Sequence, residues 1–203
     1  MKQKFTSRFF KNEKGSLSVE ACFAVPLLAW AITATFVFFD AFRTLNVSQK
    51  ATYTIADMIS REDTRPIDDN YIDALYETYT YLAGQSGHPS ALRITTVVMD
   101  VDPVTGDPIL TLEESRGVKY DPMNNIDDIR ARLPDIAPGD QMIIVESVQQ
   151  WLPAFFVGLT AYNFREVALA RPRFAPRVCW DTLNGCTVNP PTPSSASTDD
   201  GNA

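Results

Sequence analysis

The stretch Lys14-Gly15-Ser16-Leu17-Ser18-Val19-Glu20, with the apolar run ACFAVPLLAWAITATFVFF that follows it at residues 21–39, decides the architecture of this chain. The run has 19 residues and carries no formal charge. Because a helix rises about 1.5 Å per residue, the run would cover roughly 28 Å, close to a hydrocarbon core of about 30 Å. We therefore expect one transmembrane helix here.

The charges on either side of the run predict its orientation. Residues 1–15 hold five basic residues and one acidic residue, and Asp40 follows the run at once. Basic flanks stay in the cytoplasm, so we expect a cytoplasmic N-terminus and an exported C-terminal part. No second stretch of comparable length exists in the sequence, which predicts a single-pass protein.

Two other targeting signals fit the run less well. A secretory signal usually has an apolar region of about 7–15 residues and a small-residue cleavage site, which is missing after this longer run. Cys22 loosely suits a lipoprotein signal, but here the apolar region comes after the cysteine. Cys22 is better interpreted as a small residue buried in the membrane.

Glu20 is a carboxylate placed where lipid should disfavour it. Such a charge costs several kcal/mol near the bilayer centre and less near its edge, and it is usually paired or functional. One interpretation puts Glu20 at the level of the lipid headgroups. In the other, cleavage after Gly15 makes Ser16 the first residue, and its amine neutralises Glu20 of a neighbouring, staggered helix. Glu20 would then set the register between subunits.

A basic leader, Gly, four residues, Glu and an apolar helix resemble the type IV prepilin processing motif. More narrowly, GSLSVEACFAVPLLAW (residues 15–30) resembles the TadE/TadG-like pseudopilins of tight-adherence (Tad, Flp) pilus systems. The similarity covers residues 14–62, about a quarter of the chain. Ser16 departs from the Phe or Met that many pilins have there, and the sequence leaves its N-methylation open.

The resemblance implies a minor pilin that assembles or primes a Tad-type pilus, a structure used in adhesion and surface attachment. A membrane prepilin peptidase would cleave between Gly15 and Ser16, and Glu20 would act in assembly. The partners implied are membrane lipid, the peptidase, other pilins or pseudopilins, and inner-membrane Tad components. The protein would lie in the bacterial inner membrane with a periplasmic C-terminal domain, and whether it enters the filament stays open.

The transmembrane helix is expected to continue beyond the bilayer. Residues 40–61 contain no Gly or Pro, and apolar residues recur at helical spacing: Phe42, Leu45, Ala51, Ile55, Met58 and Ile59. Residues 16–62 are thus predicted to form one long, pilin-like rod. Pro26 removes a backbone donor and predicts a kink near Val25. Alanines at positions 21, 24, 29, 31 and 34 either permit close helix packing or face lipid.

Residues 63–186 are predicted to form one exported α+β domain. A helix is expected from Asp68 or Asp69 to Leu82, with a tyrosine stripe (Tyr71, Tyr76, Tyr79) in the core and its phenols at the surface. Strands are expected at 91–101, 109–115, 141–150 and 162–170, with a turn at 102–108 and a short helix at 125–133. About four antiparallel strands would pack on the rod and the second helix, in an order that the sequence does not give.

Composition bounds the partners and the ends of the chain. Without residues 1–15, the chain keeps 13 of its 18 basic and 24 of its 25 acidic residues, a formal net charge of −11. Neither nucleic acid nor an anionic membrane surface is therefore an expected partner of the exported part, since both call for basic patches. Residues 187–203 are rich in Pro, Ser, Thr, Asp and Gly and are predicted to be disordered.

Cys179 and Cys186 enclose a short segment with a turn-like Asn184-Gly185. A disulfide between them is the favoured interpretation, because an exported domain meets an oxidising compartment. Zinc is not expected, because the only histidine, His88, has no companion ligands.

Other constellations give no strong sign of chemistry. Asp100, Asp102, Thr105 and Asp107 could surround calcium, but they lack the order of a calcium loop and are better explained as turn residues. The apolar linker at 151–159 either folds over the core or docks on a partner or the outer leaflet. No nucleophile-and-base motif is present, so we expect neither an enzyme nor a cofactor. The alternative to a pilin is an unprocessed, single-pass periplasmic binding or scaffold protein of the cell envelope.

Overall fold

The computed structural model describes residues 16–84 and 89–182 of the 203-residue chain. Its elements are α1 (Ser16–Ser60), α2 (Asp69–Leu82), β1 (Ser90–Val101), β2 (Pro108–Val118), α3 (Asp127–Arg130), β3 (Gln141–Trp151) and β4 (Tyr162–Ala170). The predicted α+β layout is confirmed, with a long apolar N-terminal helix and a small antiparallel sheet of four strands. The predicted leader at 1–15, His88, Cys186 and the predicted tail at 187–203 lie outside the described residues.

The chain divides into two compact units. The described part of the first, called the anchor unit, consists of residues 16–44 and of the segment Trp151–Tyr162. The second, called the head unit, contains residues 45–84, 89–150 and 163–182. The backbone of α1 is continuous through the boundary at Thr44.

α1 is a 45-residue helix that includes Pro26. Among the described residues it is the one helix long and apolar enough to cross a membrane. The threonines within its apolar part have satisfied hydroxyls, because Thr33 Oγ1 and Thr35 Oγ1 each donate to the carbonyl four residues earlier at 2.8 Å. Such internal hydrogen bonding lets polar residues exist in a segment without water. The kink at Pro26 stays a prediction.

The sheet of the head unit has the order β2-β1-β3-β4. β1 lies between β2 and β3 and pairs antiparallel with both, with Leu92 opposite Val118 on one side and Ser147 on the other. β1 and β2 form the predicted hairpin, and the register shifts between Thr96 and Val97, which marks a bulge. The strand order is a result of the structure, since the sequence left it open.

The head unit has apolar clusters on both faces of the sheet. On one face the second half of α1 and α2 pack on alternate strand residues, including Leu92, Ile94, Ile143 and Val145. On the other face the β2–β3 connection supplies Met123, Ile129 and Ile136, which pack on Val97, Met142 and Ile144. Burial of both faces explains why residues 142–145 read as a continuous apolar run rather than an alternating one.

The face that α1 buries differs in part from the predicted apolar stripe. Ala51, Ile55 and Ile59 are buried as predicted, but Phe42 and Met58 are exposed. The buried face also includes two small polar residues: Ser48, hydrogen-bonded to Tyr79 Oη at 2.8 Å, and Thr52, hydrogen-bonded to Ser147 Oγ at 2.6 Å. Within the head unit, α1 therefore packs through these two residues, called the polar seam, as well as through its apolar contacts.

The tyrosine stripe of α2 belongs to the core, as predicted, but the phenol of Tyr79 is not at the surface. The hydroxyl of Tyr79 is bonded to Ser48 inside the head unit, and Tyr79 is fully buried. Burial also raises the pKa of Tyr71 to about 12. A buried phenol is tolerated here because a hydroxyl partner is available for its polar end.

The bounds of β2 and α3 differ most from those predicted. β2 extends past Ser115 to Val118, and within it a Cβ at Gly117 would meet the carbonyl oxygen of Tyr120 at 2.3 Å. Glycine thus allows a close backbone approach there rather than ending the strand. α3 covers only Asp127–Arg130, since the following amides of Arg132 and Leu133 bond three residues back, as in a turn.

Asp68 caps α2, and its removal is expected to destabilise the head unit at neutral pH. Its side chain accepts a hydrogen bond from the backbone N–H of Tyr71 at 2.8 Å, and this bond lowers the pKa of Asp68 from its ordinary value of 3.8. An acid with a lowered pKa stabilises the fold above its unfolded pKa, and the effect is lost as pH falls through the folded pKa. Asp68→Ala should therefore lower the urea midpoint at pH 7, and lower it less as the pH falls toward 2.

The matched variant is Asp68→Asn, because asparagine caps a helix as well as aspartate but does not titrate. It should keep the midpoint at pH 7 and remove the part of the acid dependence that Asp68 contributes. Urea titrations of the detergent-solubilised chain at the two pH values measure both effects. Equal midpoints for wild type and Asp68→Ala at pH 7 would contradict the capping role.

Candidate assembly site at the start of the long helix

The predicted processing and assembly residues lie at the beginning of α1. Ser16 is its first residue, whereas Gly15 lies outside the described part of the chain, so the cleavage site itself stays a prediction. Glu20 follows one turn later. Residues four apart lie on one face of a helix and are separated by about 6 Å along its axis. The backbone of α1 thus puts Ser16 and Glu20 on a common face.

Glu20 is exposed on α1. Within the described residues its carboxylate has no hydrogen bond or ion pair. A carboxylate at the start of an apolar helix needs either water, a headgroup or a positive partner, because charge is costly in lipid. The chemistry available to this residue is therefore the binding of a cation or an amine from outside the described chain.

The surface around Glu20 is apolar and uncovered. Phe23 has 74% of its surface exposed, and other large side chains of the same turns are also exposed: Val19, Val25, Leu27, Leu28, Trp30 and Ile32. Burial on α1 begins only at Ala34 and Val37. In a water-soluble protein such a surface would be covered, so it is suited to lipid or to neighbouring helices.

Asp40, at the other end of the apolar run, contacts the apolar linker at 151–159. From the sequence, this linker either folds over the core or docks on a partner or the outer leaflet. Trp151 Nε1 donates a hydrogen bond to Asp40 Oδ2 at 2.8 Å inside the anchor unit. Beyond Trp151 the linker does not fold its tip over a core, because Phe155 is 61% and Phe156 is 87% exposed. The interpretation as a loop folded over the core is therefore wrong for this tip.

The other residues considered from the sequence, Cys179 and the aspartates of the β1–β2 turn, lie where they contribute to the fold. Cys179 is buried and disulfide-bonded, but Cys186 lies outside the described residues, so their pairing stays a prediction. In the β1–β2 turn, Asp102 Oδ1 accepts from the amide of Val104 at 2.8 Å, and this bond lowers the pKa of Asp102. The carboxylate thus organises the turn, as expected. In residues 16–84 and 89–182, no group of three or more His, Cys, Asp or Glu is placed to hold a metal ion.

Two arginine clusters in the head unit were missed from the sequence. Arg93 pairs with Glu146 on the neighbouring strand at 2.5 Å and lies over the ring of Tyr120. Arg116 contacts Asp69 at 2.9 Å and Asp181 at 2.5 Å. These ion pairs join residues that are 47 to 65 positions apart, so only the tertiary fold brings them together.

The polar seam of α1 had a signal in the sequence. Thr44, Ser48 and Thr52 follow each other at four-residue spacing, and all three are buried. Such spacing places small hydroxyl residues on one helix face.

Comparisons with models of protein families, with curated proteins and with solved structures find no match to this chain.

Proposed function

We propose that this protein is a pilin-like subunit, cleaved after Gly15, that assembles or primes a Tad-type pilus from the inner membrane. The observation that carries the proposal is Glu20: an exposed, unpaired carboxylate within the described chain, one turn after the start of an apolar helix. It is supported by the sequence motif around Gly15 and by the exposed apolar surface that surrounds Glu20.

Cleavage would change the chemistry at the start of α1. Before it, Lys14 and the other basic residues of the leader hold the N-terminus in the cytoplasm. After it, the new α-amino group of Ser16 adds a positive charge at a helix N-terminus, where the helix dipole is also positive. The carboxylate of Glu20 on a neighbouring subunit is then a suitable partner, since pairing removes two isolated charges from lipid.

The head unit gives the subunit a folded part outside the membrane. The second half of α1, residues 45–60, belongs to the head unit, and Ile55 and Ile59 lie in its core. A folded head of this kind can contact the heads of neighbouring subunits. We propose that it caps or initiates the filament, with other pilins and inner-membrane Tad components as partners.

The N-terminus of the mature protein tests the proposal. Coexpression with an active prepilin peptidase is expected to give a chain that begins at Ser16, because cleavage after Gly15 removes the whole basic leader. Intact-mass measurement of the membrane-extracted protein reads this directly. A parallel sample without the peptidase should retain Met1 and serves as the control.

Retention of residues 1–15 with an active peptidase, verified on a known prepilin in the same cells, would contradict the proposal. The result would instead favour the unprocessed, membrane-anchored binding or scaffold protein. A matched variant, Gly15→Arg, should resist cleavage because a long charged side chain replaces the smallest residue at the scissile bond. Its membrane insertion should be unchanged, since the added charge is positive and on the cytoplasmic side.

A further inference from the structure

We infer that the loop at residues 152–161, between β3 and β4, is a second membrane contact whose aromatic tip inserts into the outer leaflet beside the exit of α1. This inference rests on the proposed membrane span of α1 and adds a lipid-binding surface to it. The partner it commits to is the interfacial region of the same bilayer, where headgroups meet the acyl chains.

The first support is the composition of the loop. From Ser147 to Phe164 the sequence has no charged residue, and the loop itself contains Leu152, Phe155 and Phe156. These three are exposed, with Phe156 at 87%. Phenylalanine buries a large apolar area, and two adjacent exposed rings on a loop tip are unfavourable in water. Gly158, with φ of +96°, permits a backbone turn next to them.

The second support is where the loop is attached. The hydrogen bond from Trp151 to Asp40 fixes its first end at the residue that ends the apolar run of α1. On α1, Phe36, Phe39 and Phe42 are exposed on both sides of Asp40. Exposed apolar side chains of the anchor unit thus lie on α1 around Asp40 and on the loop that begins after Trp151. If residues 21–39 fill the hydrocarbon core, Asp40 and Trp151 lie at its outer boundary.

The third support is reach. Ten residues separate Trp151 from Tyr162, and the loop leaves and returns to adjacent strands of the sheet. Five residues span at most about 16 Å, which exceeds the depth of about 5–10 Å to which interfacial segments are buried. The tip can therefore enter the interface without any change in β3 or β4. With both α1 and the loop tip in the bilayer, the anchor unit could not rotate freely about the axis of α1.

Spin labels on the full-length chain, reconstituted in bilayers of phosphatidylethanolamine and phosphatidylglycerol, test the inference. In a Cys22→Ser background, single labels are placed at Ala154, next to the two phenylalanines, at Val104 in the β1–β2 turn, and at Ala29 in the apolar run. Each position is exposed, so a label fits without repacking. Relaxation by oxygen, which partitions into lipid, is compared with relaxation by a water-soluble nickel complex.

We expect the oxygen-to-nickel ratio at Ala154 to be several-fold higher than at Val104 and to approach that at Ala29. Replacing both phenylalanines, Phe155→Ser with Phe156→Ser, should return the ratio at Ala154 to the value at Val104. A water-like label at Ala154 with a lipid-like label at Ala29 would overturn the loop contact and leave the span intact. A label at Ala154 shielded from both reagents would overturn it in favour of docking on protein. A water-like label at Ala29 would overturn the span itself.

Discussion

Replacing Glu20 with Gln is expected to abolish the recovery of partner pilins with this protein, while membrane insertion and cleavage after Gly15 continue. Gln keeps the size of the side chain and removes the charge that would pair with the amine of a neighbouring Ser16. An amine and a carboxylate about 4 Å apart attract by about 4 kcal/mol at an effective dielectric constant near 20. If about 2.8 kcal/mol of this is realised, association weakens roughly 100-fold.

The measurement is the amount of pilin that copurifies with the tagged protein from mild detergent, with the N-terminus of each sample checked by mass. Glu20→Asp is the matched control, since it keeps the carboxylate and should keep most of the assembly. Ser18→Ala, an exposed neighbour on the same helix, should have no effect. Pilin recovery from Glu20→Gln equal to wild type would remove Glu20 from the assembly mechanism and support its placement at the headgroups.

Ile55→Ala is expected to destabilise the head unit by about 2–5 kcal/mol, the usual cost of truncating a fully buried isoleucine. Ile55 lies on α1 but belongs to the core formed with α2 and the sheet, so the cavity would open between the helix and Ile143 and Val145 of the same cluster. A urea titration of the solubilised chain, followed by the fluorescence of buried Trp180, measures the loss.

Lys50→Ala is the control for this variant, because Lys50 is exposed on the same helix and its change should stay within about 0.5 kcal/mol. The apolar first half of α1 is unchanged in both variants, so both are expected to keep its proposed insertion in the membrane. An unchanged midpoint for Ile55→Ala would show that this part of the helix does not support the head.

Local sequence patterns predicted most of the secondary structure because each depends on short-range rules. Capping by Asp68 marks the start of α2, and nine residues rich in β-strand formers give β4 at Tyr162–Ala170, as predicted. The predicted bounds were wrong where contacts with residues distant in sequence decide where an element ends. β2 continues through Gly117 because it pairs with β1 as far as Leu92, a contact that its own composition does not encode.

In the candidate site, too, some features follow from the local sequence and others only from the tertiary structure. Glu20 is found by its position in an apolar run, a property of consecutive residues. Asp40 and Trp151 are 111 positions apart, and only the folded anchor unit shows that they are hydrogen-bonded. The exposure of Phe155 and Phe156 was equally undetermined, because an apolar loop reads the same whether its rings point to a core or to lipid.

By itself the sequence determined the long apolar helix, the α+β class of the described chain and the position of a carboxylate at the helix start. These follow from hydrophobic length and periodicity, which act along the chain. The tertiary structure alone decided the strand order β2-β1-β3-β4, the polar seam of Ser48 and Thr52 on α1, and the attachment of the aromatic loop at Asp40. Each of these depends on pairing between residues far apart in sequence, where many partners of similar chemistry compete and only the packed chain selects one.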